Sequence, residues 1–196
     1  MIRQDRIGLA VIIKNEIDLV KKFIEDNKLV FLFSEIKFLD SFSTDGTWEA
    51  LQSYKKDGIE LFQREIGLDF SAQRNYLSKL MKSEYICRLD VDEFMNTKLI
   101  EFISVRNFDK EFYNILRKEY VDGNYLKDTP TPFIYKNIPE IYWQNRIHEV
   151  VFGYKSKALI PCECFLRHDK TAQRCDKQNK FYYNGWEEQR RFVDGK

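Results

Sequence analysis

The first hundred residues alternate short apolar runs with helix-period segments four times over, and this pattern constrains the fold more than any other feature. Ile7-Gly8-Leu9-Ala10-Val11-Ile12-Ile13 is an unbroken apolar run of strand length, as expected of a strand covered on both faces. Lys14-Asn15-Glu16 breaks it, and the spacing of Ile17, Val20, Phe23 and Ile24 predicts a helix over 17–27. A second strand is expected over 35–40, with 29–33 as its possible early start, then a helix over 47–56 and a third strand over 59–64. A helix over 70–82, burying Leu77, Leu80 and Met81, leads into a strand that ends in acidic residues. Such alternation predicts an α/β fold, a mostly parallel sheet flanked by helices. Ligands bind such sheets beyond the carboxyl ends of the strands, where Asn15, Glu16, Asp40 and Asp90 all fall.

The acidic end is Tyr85-Ile86-Cys87-Arg88-Leu89-Asp90-Val91-Asp92-Glu93-Phe94. Asp90 and Asp92 are two apart, so an extended backbone sends both carboxylates to one side. Negative charge concentrated at the end of a buried strand is unfavourable unless a cation binds there. Hard oxygen donors suit Mg²⁺ or Mn²⁺ carrying phosphates. The alternative is an acidic turn capping a helix that starts near Thr97. Asp40-Ser41-Phe42-Ser43-Thr44-Asp45-Gly46-Thr47 is a strand-to-helix loop whose small residues let a backbone approach a ligand. Asp40 can accept hydrogen bonds from a ribose or base, and Asp45 or Thr44 can cap the next helix; the whole segment can equally be turn and cap. Asp69 or Ser71 is the expected cap of the 70–82 helix, which puts Arg74 in its first turns. Arg74 is there either a solvated charge or a group reaching toward Asp40 or a diphosphate.

Beyond residue 108 the pattern changes: a strand over 111–121, a turn at 122–124, a loop at Thr129-Pro130-Thr131-Pro132, and short strands over 141–143, 147–152 and 158–165. Residues 171–191 read as a polar helix with Phe181, Tyr182, Tyr183 and Trp186 as its contact face. With 32 basic and 31 acidic residues, the balance gives no electrostatic reason to expect a nucleic-acid partner. No apolar run approaches the ~20 residues of a membrane span. The first residues run directly into a strand, so no signal peptide is expected and the cytoplasm is the expected compartment. Cys162, Cys164 and Cys175 lie near His168, but their spacing matches no common zinc pattern, and reduced, mostly buried thiols are expected instead.

Taken in order, Lys14-Asn15-Glu16 after the first strand, D-S-F-S-T-D-G-T from Asp40, D-F-S-A-Q-R-N from Asp69 and L-D-V-D-E-F from Leu89 resemble the family 2 glycosyltransferases. Asn145-Arg146-Ile147-His148-Glu149 resembles the R-x-H-E segment of a subset of them. His168 followed by Lys177 and Asn179 resembles that subset's tail. The resemblance implies the glycosyltransferase A fold, with a nucleotide-sugar-binding half over about 1–108 and an acceptor half over about 109–196 of a single domain. It implies an inverting transfer from a UDP-, GDP- or dTDP-linked sugar to a hydroxyl acceptor such as a glycan, a lipid-linked sugar or a protein glycan. By resemblance, Asp40 contacts the nucleoside, with Asn15, Glu16, Ser43, Asp45, Arg74, Asp90 and Arg146 also on the donor. Asp90 and Asp92 bind Mn²⁺ or Mg²⁺ with the diphosphate, His168 completes the metal site, and Glu149 is the catalytic base. A salt bridge to Arg146 is the alternative use of Glu149.

Two other readings are open at this stage. A sugar-nucleotide pyrophosphorylase also wants an acidic metal site, but Lys14-Asn15-Glu16-Ile17 is not its glycine-rich basic loop. A catalytically silent carbohydrate-binding domain would stack sugars on Tyr142, Trp143 and Trp186, yet has no need of Asp90 and Asp92 together. The sequence stops soon after the expected terminal helix, where many members of the resembled family continue into further domains, as a small stand-alone enzyme or a fragment of a larger one would.

Overall fold

The computed structural model describes residues 7–65, 67, 69–105, 108–176, 179, 180 and 183. Its first half is built of β1 (Ile7–Ile13), α1 (Ile17–Asp26), α2 (Leu29–Leu32), β2 (Glu35–Asp40), α3 (Thr47–Gln52), β3 (Ile59–Gln63), α4 (Phe70–Leu80), β4 (Tyr85–Arg88), β5 (Glu93–Met95) and α5 (Thr97–Val105). The second half adds β6 (Phe112–Val121), β7 (Asn124–Lys136), β8 (Tyr142–Gln144), β9 (Val150–Phe152), β10 (Lys157–Leu159) and β11 (Phe165–Lys170). Among the described residues, nine strands form one sheet in the order β3-β2-β1-β4-β7-β6-β11-β5, with β10 also on β6. β3, β2, β1 and β4 run parallel, β7 is antiparallel to β4 and β6, and β11 returns parallel to β6. One sheet therefore joins both halves of the chain.

The period-2 alternation of the central strands sorts the core onto two faces. Leu9, Val11, Phe38 and Cys87 pack with Val20, Phe23 and Ile24 of α1 and with Leu99 and Ile103 of α5. Ala10, Leu39 and Ile86 pack on the other face with Leu77 of α4 and with Trp143 and Val151 of the β8–β9 ribbon. Burying one such large apolar side chain contributes ~1.5–3 kcal/mol, so covering both faces is what stabilises a parallel sheet.

Local expectations are corrected at several points; the strand expected over 158–165 is instead the end of β10 and the start of β11, with a turn at 162–164 between them. Residues 29–32 form a short helix rather than an early strand, entered through Lys28 in the left-handed region at φ 50°. Thr129–Pro132 is strand rather than loop, paired with β6 at Leu116↔Pro130 and Asn114↔Pro132. β4 reaches only 134–136 of β7, so this stretch is an edge, where a proline lacking N–H is tolerated. Tyr183 is exposed rather than a contact residue; Phe181, Tyr182, Trp186 and Lys177 lie outside the described residues.

The β8–β9 ribbon is set in place by Gly153. Its φ is +89°, and a Cβ there would sit 1.7 Å from the Glu140 carbonyl oxygen. Gly153→Ala should lower unfolding free energy by about 3 kcal/mol, since both the backbone conformation and the contact forbid a side chain. Urea denaturation measures it, and a loss below ~0.5 kcal/mol, the size of an ordinary surface substitution, would contradict this packing.

Candidate functional site

The loops leaving β1 and β2 are stitched together by side chains that the sequence analysis singled out. Parallel register sets Ile13, Asp40 and Gln63 side by side at the strand ends. Asp40 is fully buried; it accepts from Ser43 N at 3.1 Å, from the Ser43 hydroxyl, and from Gln63 Nε2 at 3.1 Å. Asn15, at φ 54°, donates its N–H to Ser43 Oγ at 2.8 Å and accepts from Thr44 N at 2.8 Å. Asp45 accepts from Thr47 N at 3.0 Å and from Ile17 N at 3.0 Å, so one carboxylate serves the starts of both α3 and α1. Burial pushes its carboxyl up, but the Thr47 hydroxyl and these N–H donors outweigh it and hold the group below its usual range. Turn and cap chemistry thus accounts for much of this loop, while placing Asp40 and Ser43 at the carboxyl edge of the sheet.

The acidic stretch does not stay extended. β4 ends at Arg88, and Glu93 N donates to Asp90 O at 2.9 Å while Asp90 N donates to Glu93 Oε2 at 2.9 Å, closing a turn. Asp90 and Asp92 therefore have different partners, and the extended backbone expected through them is a turn instead. Asp90 lies between two guanidiniums, Arg74 at 3.1 Å and Arg88 at its other oxygen. Glu93, fully buried, accepts from Arg88 Nη1 at both oxygens, 3.0 Å each, and takes a further bond from Arg117 at 3.0 Å. Burial raises the Asp90 carboxyl, but Arg88 and Arg74 hold it below the ordinary range. The helix after this turn is capped by Asn96, which accepts from Leu99 N at 3.0 Å. The carboxylates of Asp90 and Asp92 are thus not spent as its cap.

α4 begins at its expected cap, Asp69, which accepts from Ala72 N at 2.8 Å. One turn on, Arg74 is buried, and it reaches Asp90 and Glu149 rather than Asp40, with its Nε 2.7 Å from Glu149 Oε1. Its guanidinium also lies over the Trp143 ring, 5.0 Å from the centroid. Glu149 sits in the turn joining β8 and β9, so Arg74 ties the acceptor half to the acidic turn. Arg146, in the same turn, donates to Gly67 O at 3.1 Å and pins the ribbon to the loop before α4. Glu149 is paired with Arg74, not with Arg146.

Asp92 and His168 come from opposite halves of the sequence and meet at 3.1 Å. β11 lies in register with β6 at His168↔Glu119, which puts His168 Nδ1 2.5 Å from Glu119 Oε2. Burial lowers the imidazole, but its bonds to Asp92 and Glu119 prevail and push it up to about 8. Burial likewise raises both carboxyls, yet His168 with the nearby arginines drives Glu119 down to about 2 and Asp92 far below its ordinary value. Arg174 completes the cluster, bonding Glu16 at 2.7 and 2.9 Å and Asp92 at 3.1 Å. The Glu16 carboxyl is raised by burial despite Arg174.

Asp92 and His168, joined here by a 3.1 Å hydrogen bond, are a carboxylate and an imidazole, donor types that a divalent cation such as Mn²⁺ takes. Such ions keep further positions for water and phosphate. Asp90 is paired with Arg74 and Arg88, and among the described residues no group of three His, Cys, Asp or Glu side chains converges. His168 turns to carboxylates and not to the cysteines; Cys164 is buried with Sγ 3.5 Å from Lys98 O, and Cys162 is exposed.

Arg88, Glu93, Arg117, Glu119 and Arg174 join the site without having been expected there from the sequence. A charged residue inside an apolar strand flags Arg88, but Glu119 is marked only by β-register, which spacing along the chain does not reveal.

A family model described as Glycosyl transferase family 2 matches residues 9–169, and the chain belongs to that family. Crystal structures of S. aureus TarS share its fold. TarS 1-349 in complex with UDP aligns at TM-score 0.61 and 14% identity, covering 84% of this chain and 60% of that one. The complex with UDP-GlcNAc gives TM-score 0.60 at 14% identity, covering 84% and 58%. This chain thus spans about three-fifths of the TarS 1-349 chain. No curated protein matches it. Among the described residues, no helix is long and apolar enough to cross a membrane.

Proposed function

We propose that the chain transfers a glycosyl group from a nucleoside-diphosphate sugar to a hydroxyl acceptor, with inversion and with Mn²⁺ or Mg²⁺ at Asp92 and His168. The observation that carries this reading is the meeting of those two side chains at 3.1 Å at the carboxyl end of the sheet. Family membership supports it, as do the UDP and UDP-GlcNAc complexes of TarS.

Asp40, Asn15, Glu16, Ser43 and Asp45 frame the nucleoside end of a UDP-, GDP- or dTDP-linked donor, and Asp90 with its arginines lines the approach to the diphosphate. Arg146 holds the ribbon over the donor. A divalent cation there supplies Lewis-acid neutralisation of the departing diphosphate. Glu149 takes the acceptor hydroxyl proton as the oxygen attacks the anomeric carbon from the face opposite the leaving group; one displacement inverts the centre. Arg74 fixes the Glu149 carboxylate in orientation.

The test is release of nucleoside diphosphate from UDP-, GDP- and dTDP-sugars with Mn²⁺, followed by NMR. Glu149→Gln should cut turnover by ~10²–10⁴-fold, the worth of a general base, while nucleotide binding persists. Turnover of the variant at the parent rate would remove Glu149 as the base. Release from none of the donors, across glycan acceptors, would contradict the activity itself.

A further inference from the structure

The inference concerns Arg174 and rests on the cation site proposed above. Arg174 stands in the helical turn over 172–176, just after β11, and reaches back across the whole chain to Glu16 and Asp92. Its Nη2 lies 3.1 Å from Asp92 Oδ2, the same oxygen that faces His168 Nε2 at 3.1 Å. The guanidinium therefore stands on the oxygen that a divalent cation would take. That oxygen already takes both His168 and Arg174, so a divalent cation arriving there meets the guanidinium charge at close range and is opposed by it.

A second observation shows that this seat is incomplete. Among the described residues, the buried Arg174 Nε has no hydrogen-bond partner. A buried N–H left unmade is costly, and an arginine in a purely structural role normally has its fork satisfied. Arg88 shows the contrast, since its guanidinium is divided between Glu93 and Asp90 at the base of the same turn. The Arg174 arm comes from the turn that follows β11, whereas Arg88 is fixed within a central strand.

We propose that Arg174 is a placeholder for the divalent cation: it neutralises Asp92 and Glu16 in the free protein and gives up the Asp92 oxygen when the cation binds. Because the guanidinium and the cation compete for that oxygen, the arginine sets the threshold for cation binding and keeps the carboxylates compensated until the donor complex arrives. Linkage makes this reciprocal, because whatever draws Arg174 off Asp92 tightens cation binding by the same factor.

The experiment measures Mn²⁺ affinity of the full chain without nucleotide, by calorimetry and by electron paramagnetic resonance of free Mn²⁺. Arg174→Gln should bind Mn²⁺ about tenfold more tightly than the parent, the effect of removing one adjacent positive charge. Arg174→Lys, which keeps the charge, should stay near the parent value. The gain should vanish in the double variant with Asp92→Asn, which places the competition at that carboxylate. Equal or weaker binding by Arg174→Gln, with parent binding still dependent on Asp92, overturns the placeholder role and leaves the cation site standing. No Asp92-dependent Mn²⁺ binding in either protein overturns the cation site and this inference with it.

Discussion

Asp92→Asn is expected to abolish Mn²⁺-dependent nucleotide binding and to lower glycosyl transfer by on the order of 10³-fold, about 4 kcal/mol of transition-state stabilisation. Asparagine keeps the shape of the side chain and one acceptor oxygen, but it removes the charge that holds a divalent ion. The fold should survive because neither cation beside Asp92 is left alone: Glu119 still faces His168, and Glu16 still pairs with Arg174. Circular dichroism and thermal melting should therefore show a folded variant. Parent-like transfer by a folded Asp92→Asn protein would remove Asp92 from the cation site.

Glu93→Gln carries the largest expected cost in stability. Glu93 is fully buried, and its carboxylate receives Arg88 through both oxygens, Arg117 at 3.0 Å and the Asp90 N–H. Removing one partner of a buried ion network leaves the other charges uncompensated, which typically costs about 3–5 kcal/mol. Arg88 keeps Asp90 and Arg117 keeps Glu119, but both lose their bonds to the buried carboxylate, and glutamine turns one acceptor oxygen into a donor facing guanidinium. Urea denaturation should report a loss of about that size, and a change below ~1 kcal/mol would mean the network is not stabilising as drawn. Transfer should fall too, because Arg88 relays the placement of Glu93 to Asp90.

These two residues show how far the sequence could be read. The parallel half was legible because its signals are local: β1, β2 and α1 follow from apolar runs and a helical stripe, and their carboxyl ends point to Asn15, Asp40 and Asp90. The likeness to a known family, carried by four ordered segments, then brought Glu149 and His168 into view. The chain did not show that Asp90 and Asp92 take different partners, since the turn that holds them is closed by Glu93, a residue that reads as one more surface acid. Nor did it show that Arg74 binds Asp90 and Glu149, a pairing made when the β8–β9 ribbon docks on α4. Pro130 and Pro132 read as loop because their place at a strand edge depends on how far β4 extends along β7. Arg174 had no signal at all, being a surface-type residue in a polar segment until the end of β11 turns it toward Asp92. Contacts fixed by local period were readable; contacts fixed by register and docking were not.

The most direct test of the donor site is calorimetric titration of the chain with UDP, GDP and dTDP, each with and without Mn²⁺. The account predicts binding of one of these nucleotides that depends on Mn²⁺ and is lost in Asp92→Asn. Absence of binding to all three with Mn²⁺ present, or binding indifferent to both Mn²⁺ and Asp92, would contradict a nucleoside-diphosphate donor held through a cation at Asp92 and His168.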